Sequence, residues 1–391
     1  MTAATTVDLA AVKAVAVETA RRLGAGDVRV TSAFPDDESR ERLSASFARG
    51  DLATWRYDDR YARDATDPQT ILAGARSVIC AAFPYATALR SAPAPLRGRV
   101  SNYAWSRDYH GRVRDVLGRV AAAVDAAAGR AVTAIACDTR PLAERAFAAR
   151  AGLGWIGKHT NAIAPSLGSF VFLGEIVTTL ELPPDAPLRK GCGSCVRCVD
   201  ACPTGALRGD YTIDATRCIA DLTQRTGSIP RALRPLLGEW IWGCDLCQLA
   251  CPPTQRAGAR GDARADGPID ADAGAPSLIA LLRLRSGEFK RRFAKTAMGW
   301  RGAAVLRRNA AVALGNALDR AAIPALTLAL DEDPHPMVRG HAAWALGRIG
   351  SRSSFAALSR RDRVEQDAEV REEIAAALET FDSSDSFRGI K

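Results

Sequence analysis

Leu9, Val12, Ala16, Ala20 and Leu23 fall three or four residues apart, the spacing that lays one apolar stripe along a helix. The pattern then changes. "GAGDVRVTSAF" (24–34), "ARSVICAAFPY" (75–85) and "RAVTAIACDT" (130–139) are short apolar or alternating runs bounded by turn residues, and each predicts a strand. Helical stretches between them make the first 180 or so residues an α/β domain. The breaker run "ELPPDAPLRKG" (181–191) closes it, and "CPPTQRAGARGDARADGPIDADAGAP" (251–276) marks a second boundary. Beyond 276 the pattern is helical and repeats: "LRRNAAVALG", "VRGHAAWALG" and "VREEIAAALE" place Arg307, Arg339 and Arg371 at intervals of 32 residues. Such a period predicts stacked helix pairs that bury a core no single repeat could form. The expected domains are 1–182, 183–260 and 276–391.

A chain of 391 residues that is 47% hydrophobic and 25% charged supports more than one core, and no segment approaches eighteen consecutive apolar residues. The pair Arg21-Arg22 follows an amphipathic helix and precedes no apolar run with a cleavage site, which argues against an export signal and for the cytoplasm. The formal charge of +9 is a weak pointer to a polyanionic partner.

Eight of the ten cysteines lie within sixty residues, which reads as metal binding before disulfides. "CGSCVRCVDACP" (192–203) has the C-x2-C-x2-C-x3-C-P spacing of two-cluster ferredoxins, in which the fourth cysteine serves the other cluster. That pattern assigns Cys192, Cys195, Cys198 and Cys251 to one [4Fe–4S] cluster. The second motif, "CDLCQLACPP" (244–253), is irregular, its extra ligand displaced upstream to Cys218, so the other cluster takes Cys202, Cys218, Cys244 and Cys247. Tetrahedral zinc also suits C-x2-C pairs; eight thiolates, two C-x3-C-P endings and scarce histidine favour iron–sulfur. Cys80 and Cys137 read as ordinary packed thiols.

Two clusters carry electrons, so the chemistry is expected in the α/β domain. "GLGWIG" (152–157) matches a dinucleotide fingerprint, but a helix precedes it where a strand is needed, and Gly152 reads as a helix end. Asp138 ends a strand where the chain turns into a helix. There it suits either a ligand crevice or a helix N-cap, and the residues alone leave both open.

"SNYAWSRDYH" (101–110), "CDTRPLAERAFAARAGLGWIGKHTNAI" (137–163), "GSFVFLGEI" (168–176), the two cysteine motifs with the lone Cys218, and "WRGAAVLRRNAAVALG" (300–315) together resemble the epoxyqueuosine reductases, cobalamin and iron–sulfur enzymes of tRNA modification. The likeness runs in order from about residue 40 to 380. It implies a nitroreductase-like cobalamin-binding α/β domain, a ferredoxin-like domain with two [4Fe–4S] clusters, and C-terminal HEAT-like helical repeats. It further implies a base-off cobalamin between the first two domains, with Ser101, Tyr103, His110, Asp138, Lys158, Asn161, Ser169, Leu173, Cys244 and Asp245 touching it. The chain lacks the D-x-H-x-x-G that supplies a cobalt-binding histidine elsewhere; "DPHPMV" (333–338) has no glycine. Position 101 departs from relatives that place cysteine there. Asp138 is the implied proton donor, kept protonated by partial burial against the corrin.

The substrate so implied is a tRNA anticodon stem-loop carrying epoxyqueuosine. The protein would work as a monomer away from membranes, with an external low-potential electron donor. Residues 283–308 hold nine Lys or Arg and one acid, with Phe289, Phe293 and Trp300 interleaved, a composition suited to phosphate contacts beside a stacking surface. The alternatives are a cobalamin-dependent reductive dehalogenase and a non-catalytic iron–sulfur electron-transfer protein.

Overall fold

The computed structural model describes residues 7–85, 95–259 and 272–382. Residues 260–271, within the 251–276 run read as a domain boundary, lie outside them. The chain divides into two units, and neither is one continuous stretch. The first takes Met1–Leu89, Asp108–Thr216 and Leu246–Asp266; the second takes Arg90–Arg107, Arg217–Asp245 and Gly267–Lys391.

The first unit is built on a four-stranded sheet in the order Asp27–Ser32, Ser77–Pro84, Val171–Thr178, Thr133–Ala136. On one face the Leu9–Arg22 and Tyr109–Ala128 helices pack Val12, Ala16, Val113, Leu117 and Val120 against Val28, Val30, Ile79 and Ile176. On the other, Phe147 and Ala148 of the Glu144–Arg150 helix meet Val78, Cys80, Ala82, Leu173 and Val177. With both faces covered, Ser77–Pro84 is buried along its whole length, which is why its sequence shows no polar alternation. Gly174 is required where the long helix crosses its strand, since a Cβ there would lie 2.9 Å from methyls of Val113 and Leu117.

Every pairing in this sheet is antiparallel. Helices on both faces bear out the layered α/β class, while the crevice argument used for Asp138 fails, because that rule belongs to parallel sheets. Cys80 and Cys137 are buried thiols on opposite faces of the sheet. The glycine-rich string follows the Glu144–Arg150 helix: Gly152 has φ +76°, and a Cβ on it would sit 2.1 Å from the Ala186 carbonyl oxygen. It ends a helix and leads into a strand, the reverse of the order a dinucleotide-binding loop requires.

In the second unit, five helices from Ala303–Ala317 to Ala368–Asp382 form the repeat array. The 32-residue period has a packing cause. A Cβ on Gly315 would lie 2.9 Å from Ala345, and one on Gly347 would lie 2.8 Å from Ala377, so equivalent helices close on one another through equivalent residues. The repeating arginines serve a second role. Arg307 is paired with Asp333 and Arg339 with Glu365, each 26 residues on, and all four are largely buried. The array also grips the 219–243 stretch. Arg308, fully buried, donates to the carbonyls of Leu222, Arg225 and Gly227 at 2.9, 2.8 and 2.6 Å. Asn309 donates to Thr223 and Ile241, and Arg234 makes a two-pronged pair with Glu373. Of the aromatics in the basic stretch, Phe289 and Phe293 are core; Trp300 is half exposed, with the Arg301 guanidinium 3.6 Å above its ring.

Candidate active site

Asp138 follows the Thr133–Ala136 strand with φ +47°. An aspartate tolerates this left-handed backbone at a cost of order 1 kcal/mol, so something must hold it. Two contacts do. The Asp138 N–H donates to Glu144 Oε1 at 2.6 Å, and its carboxylate lies 2.7 Å from His110 Nε2. The other ring nitrogen of His110 lies 2.5 Å from Asp108, which also caps the Tyr109–Ala128 helix by accepting the His110 N–H. An imidazole between two carboxylates donates from both nitrogens as a cation.

The hydrogen bond to Asp138 accordingly raises the pKa of His110, against a smaller opposing effect of burial. The same bond holds Asp138 below the usual carboxylate range. The Asp138 side chain is half exposed, and the bond to His110 favours its charged form; a corrin covering it, as the resemblance implies, would act in the opposite sense. Asp138 and His110 together carry one transferable proton.

Beside Asp138 a cavity of about 180 Å³ is lined by Tyr85, Tyr109, Asn161, Ser169, Phe172, Leu173 and Gln248 among others. Phe172 and Tyr109 stack at 3.9 Å. Ser169 is anchored through Thr254, its N–H and hydroxyl 3.0 and 2.9 Å from the threonine hydroxyl. Gly168, at φ +72°, permits this approach, since a Cβ would lie 2.6 Å from Thr254 Cα.

Lys158 is turned to the cysteine motif. Its N–H donates to Cys192 Sγ at 3.4 Å and its Nζ to the Gly193 carbonyl at 3.0 Å. The thiols of Cys198 and Cys251 are pushed up first by burial and then by neighbouring thiols: Cys192 and Cys251 act on Cys198, and Cys192 and Cys195 on Cys251. Among the described residues no three His, Cys, Asp or Glu side chains converge on one ion. The assignment of thiolates to clusters is carried by motif spacing.

The remaining expected residues gather in the second unit. Asp245, fully buried and pushed up to about 6 by that burial, accepts from the Ser101 hydroxyl and, at 2.7 Å, from the Asn102 N–H. Gly243 makes the fit possible, because a Cβ would lie 2.5 Å from that of Ser101. Tyr103 accepts from the Trp242 indole at 2.9 Å.

Sequence reasoning missed Glu144, Glu175, Tyr85, Tyr109, Phe172 and Gln248. Glu175 left one visible signal, a lone acid inside the apolar strand VFLGEIVT.

The double cysteine motif, an acid beside a half-open cavity and a repeat array define an iron–sulfur oxidoreductase with its own helical-repeat module. Family models agree segment by segment: a 4Fe-4S double cluster binding domain matches 191–254, epoxyqueuosine reductase QueG matches 66–139, and HEAT repeats match 301–379. Over 363 residues the chain is 36% identical to the epoxyqueuosine reductase of Bacillus anthracis, covering 92% of this chain and 94% of that one. An epoxyqueuosine reductase crystallised with a tRNA-Tyr epoxyqueuosine-modified stem loop superposes with a TM-score of 0.87 at 32% identity, covering 96% of this chain and all of that one. The Bacillus subtilis enzyme, solved with its catalytic aspartate loop swung out of the active site, gives the same score and identity over 95% of this chain and all of that one. The chain belongs to the epoxyqueuosine reductase family.

Proposed function

We propose that this protein reduces epoxyqueuosine to queuosine at the wobble position of tRNA. The observation that carries the reading is Asp138, held in a strained backbone by two contacts at the edge of the cavity, within a chain that matches its relatives nearly end to end. Membership of this family displaces the dehalogenase and electron-carrier alternatives. The overall change takes two electrons and two protons: both carbon–oxygen bonds of the epoxide break, an alkene forms and water leaves.

The residues fit the cofactors. Leu173, Val171 and Phe172 give the cavity an apolar wall, and Asn161, Ser169 and Gln248 set polar groups beside it, which suits one carboxamide-bearing edge of a corrin whose ring reaches well beyond the cavity. Cys192, Cys195, Cys198 and Cys251 would hold one cluster, in line with their mutual electrostatic influence and the amide aimed at Cys192. Cys202, Cys218, Cys244 and Cys247 are the thiolates left for the other. Bound there, cobalamin would supply a reducing centre for carbon–oxygen cleavage, fed through the clusters by an external low-potential donor.

The chain's own contribution is protonation. As negative charge develops on the epoxide oxygen, Asp138 delivers the proton it shares with His110, Asp108 stabilises the imidazolium until then, and the second proton, needed for the oxygen to leave as water, comes from solvent. A tRNA substrate places this work in the cytoplasm, and no described helix is long and apolar enough to cross a membrane.

The test is an anaerobic single-turnover reaction of the reconstituted protein with an epoxyqueuosine-containing anticodon stem-loop, read by nucleoside mass. Formation of queuosine supports the reading; an intact epoxide with all cofactors loaded defeats it.

Trp300 and the basic residues around it are the proposed RNA contact. Base stacking on an exposed aromatic contributes about 1–3 kcal/mol, so Trp300→Ala is expected to weaken stem-loop binding by roughly five- to hundredfold without changing iron content. Titration of a labelled stem-loop checks it, and unchanged affinity would remove Trp300 from the interface.

A further inference from the structure

Glu175 is fully buried in the middle of its strand, and among the described residues neither carboxyl oxygen meets a hydrogen-bond donor. In register it lies beside Cys80 on one flanking strand and Ala136 on the other, facing the layer that contains the Glu144–Arg150 helix. The polar group that meets it there is the Glu144 carboxyl, the acceptor of the Asp138 N–H. Two ionised carboxylates offer only acceptors, so with Glu175 fully enclosed and Glu144 at the cavity wall beside it the pair requires a proton between them.

We propose that Glu144 and Glu175 hold one proton between them and act as positioning residues for Asp138: with Glu144 ionised its carboxylate docks the loop through the Asp138 N–H, and with both groups protonated the loop is released. The proposal rests on the reading of Asp138 as the acid. Burial raises both carboxyls above the ordinary range, Glu175 the more, and Glu144 adds to the rise at Glu175. The N–H of Asp138 opposes the rise at Glu144, so by linkage protonation of Glu144 favours release. In the Bacillus subtilis relative a catalytic loop has been seen swung out of the active site, so in that protein such a loop has a second position.

The other titratable or charged groups facing Glu144 are Asp138, Cys137 at the strand end, His110, Arg145, Tyr61 and, beyond Glu175, Cys80. Cys137, Cys80 and Tyr61 are all raised, which keeps them neutral through the neutral range. His110 acts with the opposite sign: acidification charges it and tightens its hold on Asp138. Asp138 itself is lowered and protonates only in stronger acid. Loosening of the loop on mild acidification is therefore specific to the glutamate pair.

Backbone hydrogen exchange of the 137–143 segment in the reconstituted enzyme, corrected for the intrinsic pH dependence of exchange, reads the docking directly. Protection is expected at and above neutral pH and lost on mild acidification. Glu175→Gln cannot ionise and offers Glu144 a donor, so it should carry protection about one pH unit lower. Glu144→Gln keeps an acceptor but cannot titrate, and should flatten the profile. A wild-type profile independent of pH, or either variant tracing the wild-type curve, overturns the proposal. Because exchange needs no turnover, an enzyme that leaves the epoxide intact yet gives these profiles would fault the substrate reading and leave this one standing.

Discussion

Asp138→Asn is expected to slow single-turnover conversion of epoxyqueuosine by about 10²- to 10⁴-fold, the usual contribution of a positioned acid, with cobalamin and iron content unchanged. The amide keeps the shape of the side chain and can still meet His110, so the loop stays in place; what is lost is a proton the group can release. The pH dependence has a definite sign. The Asp138–His110 pair is loaded as long as His110 holds its proton, and its raised pKa extends that range upward. The rate should fall as pH rises through that raised value, and His110→Gln should pull the fall to lower pH. Rates against pH for wild type and both variants check this, and a fully active Asp138→Asn enzyme would require another donor.

Arg308→Ala should be the most damaging substitution away from the site. Its guanidinium donates to three backbone carbonyls and, through Nε and Nη2, to Asn309, all in the interior. Truncation leaves those acceptors buried without donors and opens a cavity, a combination that costs about 3–5 kcal/mol. Arg360→Ala is the contrast. Its pair with Asp331 is more than half exposed on the arginine side, and such pairs contribute under about 1 kcal/mol. Urea unfolding of the two variants beside wild type measures the difference. The same comparison should show iron loss in Arg308→Ala, because the stretch it holds runs between Cys218 and Cys244. Equal stability of the two variants would mean that the carbonyls find other donors.

The cysteine motifs and the 32-residue period could be read from the sequence because each is a local pattern with one physical cause, ligand spacing in the first case and the Gly315–Ala345 and Gly347–Ala377 contacts in the second. Asp138 could be nominated, although the parallel-sheet reasoning behind it was mistaken. Strand direction is set by pairing across nearly a hundred residues, Ser77–Pro84 against Val171–Thr178, and no short pattern encodes it. Glu175 hid for a related reason. Both faces of its strand are covered, so alternation could not tell whether the acid faced solvent or core. The Asp108–His110–Asp138 chain needed the long helix and the strand end to be placed side by side, which no local pattern announces.

Cys80 and Cys137 sit in the two apolar layers with their thiols pushed up, Cys137 to about 12, first by burial. Thiolates are the form that alkylating reagents attack, so these two stay silent under native conditions. The cysteines of the cluster motifs then carry the labelling, Cys198 and Cys251 the more slowly because burial raises them too, and the labelled sulfurs track how many cluster positions stand empty in any preparation of the enzyme.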